Sequence, residues 1–157
     1  MANYKQVMFE LLSYQCLKEN WDGYGGIVIP KKMIDSAWIF LGILIENKIT
    51  SPNIMVSGSG EIAFYWKIKT YIEISIGPDE DELSLTKSEL EVLYKSFTFV
   101  IDGGGDNVLG GDNIPFVDFK KSKVFKPLEC IKGEEGLPDY HDYYYKLMMS
   151  GRESRDI

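Results

Sequence analysis

The chain has 157 residues, of which 45% are hydrophobic, 26% are charged and 13% are aromatic. These values are typical of one globular domain and exclude a largely disordered chain, because disordered segments are poor in aromatic residues. The net charge is −7, and residues 77–113 account for all of it with nine acidic residues against Lys87 and Lys95. Such a surface repels nucleic acid phosphates and attracts basic protein surfaces, so we expect no direct binding to nucleic acid.

The sequence gives no sign of export or membrane insertion. Residues 1–12 lack a basic stretch followed by an apolar run, and the most apolar window, 37–45, is shorter than the roughly 20 residues that a membrane-spanning helix needs. We therefore expect a protein of the bacterial host cytosol without a membrane partner. Cys16 and Cys130 are predicted to be buried free thiols, and no Cys/His cluster indicates a zinc site.

Two helices are predicted in the first third of the chain. Apolar residues recur at helical spacing over 3–18, with Asn3 as the N-cap, and again over 31–47, after Pro30 at the first helical position. The connector between them contains three glycines, which cannot sustain a helix. Trp21 and Tyr24 are large enough to pin this connector to the core, so both are expected to be mostly buried in a structural clasp.

Alternating and β-branched segments predict antiparallel strands at 53–57, 61–68 and 70–76. Further along, the predicted elements are a short strand at 83–86, a helix at 87–97 capped by Thr86 or Ser88, a strand at 97–101, a glycine-rich loop at 102–113, an extended segment at 114–119 and a last helix at 139–151. The predicted fold class is α+β, with two N-terminal helices packed on an antiparallel sheet and an irregular C-terminal half. We expect a single domain over 1–157, with a frayed tail at 152–157.

Candidate chemistry is sparse. The loop at 102–113 offers carboxylate, amide and carbonyl oxygens on a bendable backbone, which are ligands that calcium prefers, but it lacks the spacing of known calcium loops. His141 is the only histidine, and an enzyme of unfamiliar design could pair it with Asp102, Asp106 or Asp112. Because no nucleophile with a base and no metal cluster is present, we expect no catalytic residue, no metal and no cofactor.

The connector carries a family resemblance. Residues 20–29, NWDGYGGIVI, resemble the motif N-W-D-G-Y-G-A-x-P-I of small, largely uncharacterised bacterial and phage proteins. In that group a helix and then G-x-I-x-L-x-W follow, matched here by Gly60, Ile62 and Trp66 with Phe64 in place of Leu. Gly26 replaces Ala and Val28 replaces Pro, and the resemblance covers residues 18–76. It implies no activity, and its residues suit a structural motif: Trp21, Asp22, Gly23, Tyr24, Gly25 and Trp66.

The functional hypothesis rests on the acidic stretch. We expect a non-enzymatic binding protein that occupies a basic surface of a partner, such as a toxin or a nucleic-acid-handling complex, in the manner of an immunity protein or a phage inhibitor of a defence system. The expected contact residues are Asp79, Glu80, Asp81, Glu82, Asp102, Asp106, Asp112, Tyr143 and Tyr144. The alternatives are the His141 enzyme, a self-associating structural protein that forms a homo-oligomer, and a calcium-binding module.

Overall fold

Two helices precede a five-stranded sheet in the computed structural model, which describes residues 3–131. The elements in chain order are α1 (Tyr4–Tyr14), α2 (Lys31–Glu46), β1 (Asn53–Val56), β2 (Ile62–Lys67), β3 (Tyr71–Ile76), a 3-10 helix (Glu80–Ser84), α3 (Lys87–Leu93), β4 (Ser96–Asp102), β5 (Val108–Pro115), a second 3-10 helix (Phe116–Lys121) and α4 (Phe125–Glu129). The α+β class, with two N-terminal helices followed by an antiparallel sheet, is confirmed.

The sheet is a meander in the order β1-β2-β3-β4-β5, and each strand pairs antiparallel with the next. Phe64 lies opposite Ile54 on one side and Ile74 on the other. These three residues are buried, because alternate side chains of each strand face the helices. The alternation predicted for 61–68 and 70–76 therefore holds, with its apolar members on the helix-covered face.

The core is centred on Phe40 of α2. Its ring centroid lies 5.2 Å from that of Phe116, 5.3 Å from that of Phe97 and 5.4 Å from that of Phe119. Trp66 is fully buried, and its indole N–H donates to the carbonyl oxygen of Thr50 at 2.8 Å, so its polar atom is satisfied. This aromatic cluster fixes α2 and the first residues after β5 on the same face of the sheet.

The helix starts follow from capping. The side chain of Asn3 accepts from the backbone N–H of Gln6 at 3.1 Å, which confirms Asn3 as the N-cap of α1. Thr86 caps α3 through a capping box with Glu89. Pro30 is the N-cap of α2 and not its first helical residue, and α1 ends at Tyr14 rather than at residue 18.

The strand predicted at 83–86 is wrong. Asp79 and Glu82 form a capping box that starts a 3-10 helix over Glu80–Ser84, and Thr86 then starts α3. Two consecutive caps leave only Leu85 and Thr86 between the helices, because each cap fixes the residues that follow it in a helical turn. The short apolar alternation of this stretch favours a strand, but its cap residues favour helical turns, and the structure follows the caps.

The glycine-rich loop predicted at 102–113 is mostly strand. Only residues 103–107 form a turn, and β5 begins at Val108. A Cβ atom on Gly111 would lie 2.6 Å from Cε1 of Phe99, so glycine lets β5 pair over that ring. The extended segment expected at 114–119 stops at Pro115, where the second 3-10 helix takes over, and α4 lies in a stretch expected to be irregular.

Several expectations fall on other parts of the chain. The predicted helix at 139–151, the tail at 152–157, His141, Tyr143 and Tyr144 lie outside the described residues. Cys16 and Cys130 are exposed free thiols, so the expectation that they are buried is wrong, since each lies just after the end of a helix. Among residues 3–131, no helix is both long enough and apolar enough to cross a bilayer.

Candidate functional site

The connector between α1 and α2, which we call the clasp loop (residues 20–27), is closed by its own side chains. Oδ1 of Asp22 accepts from the backbone N–H groups of Tyr24 and Gly26 at 2.9 and 2.8 Å. Oδ1 of Asn20 accepts from the N–H of Gly25 at 2.7 Å. The N–H donors of Tyr24 and Gly26 favour the carboxylate and hold the pKa of Asp22 below its usual value.

The clasp loop is attached to the rest of the fold at two points. The indole N–H of Trp21 donates to the carbonyl oxygen of Ile27 at 2.8 Å, and the half-buried ring packs against the core. The N–H of Ile27 donates to the carbonyl oxygen of Gly58 at 2.9 Å in the β1–β2 turn. These contacts place the loop against the core and beside that turn.

The expectation that Tyr24 is buried is wrong, because its side chain is 92% exposed. Tyr24 lies between Gly23 and Gly25, which have φ values of 79° and 82°, at the tip of the loop. The hydrogen bonds that close the loop come from Asn20 and Asp22, so the tyrosine ring is not needed to hold it. The clasp is therefore made by one aromatic residue and two polar ones.

The site that best fits the charge pattern is a concave surface at the same end of the sheet, which we call the acidic cleft. It has a volume of about 310 Å³, and its lining carries four carboxylates. They belong to Glu61, Asp79, Glu82 and Asp112. Ser75 and Thr98 line its floor from the sheet face opposite the helices, and no lysine or arginine is among the described residues that line it.

A β-bulge brings Asp112 into the cleft. Phe97 pairs with Ile114 and Phe99 with Gly111, so Asp112 and Asn113 together lie opposite Thr98. The backbone N–H of Asn113, whose φ is 50°, donates to Oγ1 of Thr98 at 3.0 Å. The extra residue therefore turns the end of β5 toward the 3-10 helix.

Hydrogen bonds join the walls of the acidic cleft. The side-chain amide of Asn113 donates to Oε2 of Glu82 at 3.1 Å, which links β5 to the 3-10 helix. Oε2 of Glu61 accepts from the N–H of Glu80 at 3.1 Å, and Asp79 and Glu82 cap each other's backbone N–H groups at 3.0 Å. The carboxylates of Glu61, Asp79 and Glu82 are thus held around one space before any ligand arrives.

The structure brings together only part of the predicted contact set. Asp79, Glu82 and Asp112 line the cleft, whereas Glu80 and Asp81 lie on the 3-10 helix without lining it. Asp102 and Asp106 lie at the other end of the sheet: Asp102 pairs with Tyr71, about 13 Å along β4 from Thr98. The acidic stretch therefore contributes to two separate places and not to one.

Sequence reasoning missed Glu61, which lies outside the acidic stretch. It directly precedes β2, where Ile62 pairs with Ile76, so it comes level with Gly77 and the start of the 3-10 helix. The signal was available in the hairpin register: pairing the isoleucines of 61–68 and 70–76 in antiparallel order places Glu61 beside the 79–82 turn. Composition alone cannot show this, because residues 1–76 are balanced in charge.

The calcium alternative invoked the oxygens of the loop at 102–113, and two of these accept hydrogen bonds from the turn itself. Residues 103–107 close a turn through the Gly103 N–H and the Asn107 carbonyl oxygen at 2.7 Å, and Oδ1 of Asp102 accepts from the N–H of Gly104 at 2.9 Å. Within residues 3–131, no group of three or more His, Cys, Asp or Glu side chains is arranged to hold a metal ion. The side chain of Asp102 thus stabilises the turn that follows it.

Three of the cleft carboxylates, those of Glu61, Asp79 and Glu82, accept from N–H groups, and no described lysine or arginine lines the cleft. Lys31 pairs with Asp35 instead, at 3.1 Å on the exposed face of α2. A cleft with several carboxylates and no internal counter-charge can accept hydrogen bonds from an ammonium or guanidinium group. Comparison of the chain with models of protein families, with curated proteins and with solved structures finds no match.

Proposed function

We propose that this chain is a non-enzymatic binding protein that receives a basic segment of a partner protein in its acidic cleft. The observation that carries the proposal is the convergence of Glu61, Asp79, Glu82 and Asp112 on one concave space of about 310 Å³, with no basic residue among the described residues that line it. A lysine or arginine side chain is the protein group that complements such a site in charge and in hydrogen bonding.

The number of carboxylates matters more than any one of them. A single exposed ion pair contributes about 0.2–1 kcal/mol, so one carboxylate would not hold a partner. Four carboxylates around a cleft add their fields, which raises the association rate with a basic surface and weakens as salt is added. The hydrogen bonds that join the 3-10 helix, Glu61 and Asn113 fix three of these groups in advance, which lowers the cost of ordering them on binding.

The partner class follows from the same charge. Proteins that handle nucleic acid expose basic surfaces to bind phosphates, and an acidic protein that covers such a surface acts as an inhibitor. An immunity protein against a nuclease toxin, or a phage inhibitor of a defence complex, acting in a bacterial cytosol, is the form of this function that we propose by analogy.

The first test is capture of partners with the full-length chain as bait, at low and at high salt. The cleft variant carries Glu61→Gln, Asp79→Asn and Asp112→Asn, which removes three of the lining charges. We expect wild-type bait to retain a basic protein at low salt and to release it at high salt, because exposed charges are screened. The purified partner should bind the cleft variant at least about tenfold more weakly in titration calorimetry.

A matched control keeps the overall charge the same. Glu19→Gln, Glu91→Gln and Asp106→Asn lie outside the cleft and also change the net charge from −7 to −4. The control variant should keep most of the affinity, since steering by total charge is weaker than contact with the cleft. Equal losses in both variants, or a partner whose binding ignores salt, would contradict the proposal.

A further inference from the structure

A second concave surface lies on the other side of β4 and β5, between α2, α3 and the second 3-10 helix. We call it the apolar groove. Its volume is about 640 Å³, within the range of small-molecule pockets, which is about 300–1,000 Å³. Its walls are aliphatic and aromatic side chains, chiefly Ile39 and Ile43 of α2, Val92 of α3, and Phe116, Val117 and Phe119.

The groove exposes apolar side chains that the core does not use. Val117 is 89% exposed, Val92 is 62% exposed and Ile39 is 51% exposed, although Phe116 and Phe119 beneath them are buried. Single exposed apolar residues are ordinary, but several around one concavity mark a binding surface, because covering them removes apolar area from water. The floor of the groove belongs to the aromatic cluster around Phe40, so the groove is built on a rigid base.

Charge at the rim identifies the kind of occupant. Lys95 and Lys120 line the groove, against one carboxylate, Glu46. Within residues 3–131, neither lysine forms an ion pair. In a chain of net charge −7, this groove is therefore a place where the lining charge is positive.

The charges are separated along α2. Lys95 follows Tyr94, whose carbonyl oxygen accepts from the hydroxyl of Ser36 near the start of α2, whereas Glu46 ends that helix. Ser36 and Glu46 are ten residues apart, which is about 15 Å in an α-helix. A ligand with its anionic group at the Lys95 end would keep that group away from Glu46 and lay its apolar body along Ile39 and Ile43.

We propose that the apolar groove binds a small amphipathic anion, a compound with an apolar body and one carboxylate or sulfonate. The apolar body replaces water over Ile39, Val92 and Val117, and the anionic group accepts hydrogen bonds from the lysine ammonium groups that line the groove. This site is independent of the acidic cleft, because the groove lies on the helix-covered side of the sheet and the cleft on the opposite side.

Titration of the full-length protein with dodecanoate tests the proposal, with dodecanol and dodecyltrimethylammonium as neutral and cationic probes of equal chain length. We expect dodecanoate to bind with a dissociation constant below about 1 mM and to bind more tightly than either of the other probes. In methyl-detected NMR, the shifted signals should be those of Ile39, Ile43, Val92 and Val117.

Two variants separate the charge from the apolar surface. Lys95→Gln with Lys120→Gln should weaken dodecanoate binding about tenfold and leave dodecanol unchanged. Val92→Asp, at an exposed position that folding does not require to be apolar, should weaken both probes. Lys121→Gln with Lys123→Gln is the matched control, because these exposed lysines do not line the groove and should change neither affinity.

Three results would overturn the proposal. The first is no binding of dodecanoate up to about 1 mM, and the second is equal affinity for the anionic and the cationic probe. The third is a dimer in sedimentation velocity that Val92→Asp dissolves, which would show that a second copy covers the groove. The groove and its test do not depend on the acidic cleft, so failure here leaves the proposed function standing.

Discussion

The clasp loop and the turn at 103–107 are both rich in glycine and aspartate, but they are held in different ways. The turn is closed locally, by the backbone of Gly103 and Asn107 and by Asp102 just before it. The clasp loop is closed by Asn20 and Asp22, and it is also tied to the core through Trp21 and to the β1–β2 turn through Ile27. Similar composition thus yields a hairpin turn in one place and a tertiary anchor in the other.

The difference teaches that glycines permit a loop conformation but do not decide its role. In the clasp loop, a large aromatic residue and a neighbouring turn supply the contacts that hold the loop against the fold. In the turn at 103–107, a Cβ on Gly104 or Gly105 would meet nothing within 4 Å. Substitutions should therefore be costly in the first loop and mild in the second.

The largest effect is expected for Trp21→Ala. This change removes a half-buried indole and the hydrogen bond from its N–H to the carbonyl oxygen of Ile27, so the free energy of unfolding should fall by about 2–3 kcal/mol. Tyr24→Ala is the control in the same loop and should change stability by less than about 0.5 kcal/mol, since Tyr24 is exposed. Urea unfolding followed by circular dichroism measures both, and similar losses would contradict the division of roles.

Gly26→Ala is expected to cost about 2 kcal/mol in the free energy of unfolding. The new Cβ would lie 2.7 Å from Oδ1 of Asp22 and 2.8 Å from Nε1 of Trp21, so both of the loop's anchoring side chains would have to shift.

Gly104→Ala sharpens that comparison in the turn. The new Cβ atom meets no neighbour within 4 Å, but the residue keeps a positive φ of 95°. We therefore expect about 1 kcal/mol of backbone strain. Thermal unfolding of the two alanine variants gives the order of the losses, and a larger loss for Gly104→Ala would break the comparison.

A further prediction concerns the stability of the protein at acid pH. The pKa of Asp22 is lowered in the folded state by the N–H groups of Tyr24 and Gly26, so the unfolded chain binds a proton there more readily. Stability from this carboxylate is complete above the unfolded pKa of about 3.9 and is lost as the pH falls through the folded pKa. Asp22→Asn should therefore flatten the fall of stability at acid pH.

Asn20→Ala serves as the uncharged control, because Asn20 also accepts a loop N–H but does not titrate. It should lower stability by a similar amount at every pH. Unfolding in urea at a series of pH values distinguishes the two variants. If the free energy of unfolding of Asp22→Asn falls with pH as steeply as that of the wild type, Asp22 does not contribute to the loss of stability in acid.

The smallest effect is expected when two glycines are inserted after Gly104. The hairpin turn grows from five residues to seven, and closing the longer loop costs less than about 0.6 kcal/mol. The same insertion after Gly23 would separate Asp22 from Gly26 and should cost several times more. Comparable losses at the two sites would show that both loops are local turns.

The fold class and the first half of the chain were predictable, because their signals are local. The side chain of Asn3 caps the free backbone N–H of Gln6, and the isoleucines of β3 alternate with polar residues, so each pattern specifies its own element. β5 was not predictable in this way. Its Gly110 and Gly111 disfavour a strand, and they are accommodated only because Phe99 of the neighbouring strand occupies the space beside them.

The negative charge of the acidic cleft was predictable, but the set of residues that line it was not. The excess of acid in 77–113 is visible in the sequence, yet a one-residue bulge opposite Thr98 decides that Asp112 joins Glu82. Asp102, on the same hairpin, is carried to the far end of the sheet by the length of β4. Register and bulges depend on contacts between strands, which no single segment encodes.

The bulge has a second consequence, for association between molecules. Within the described residues β5 pairs only with β4, so its outer side is the open edge of the sheet, and a straight, apolar edge would be a template for edge-to-edge aggregation. Asp112 adds a charge there, Asn113 bends the strand with its φ of 50°, and Pro115 lacks an N–H to donate. The irregularity that shapes the cleft therefore also makes this edge a poor template for another chain.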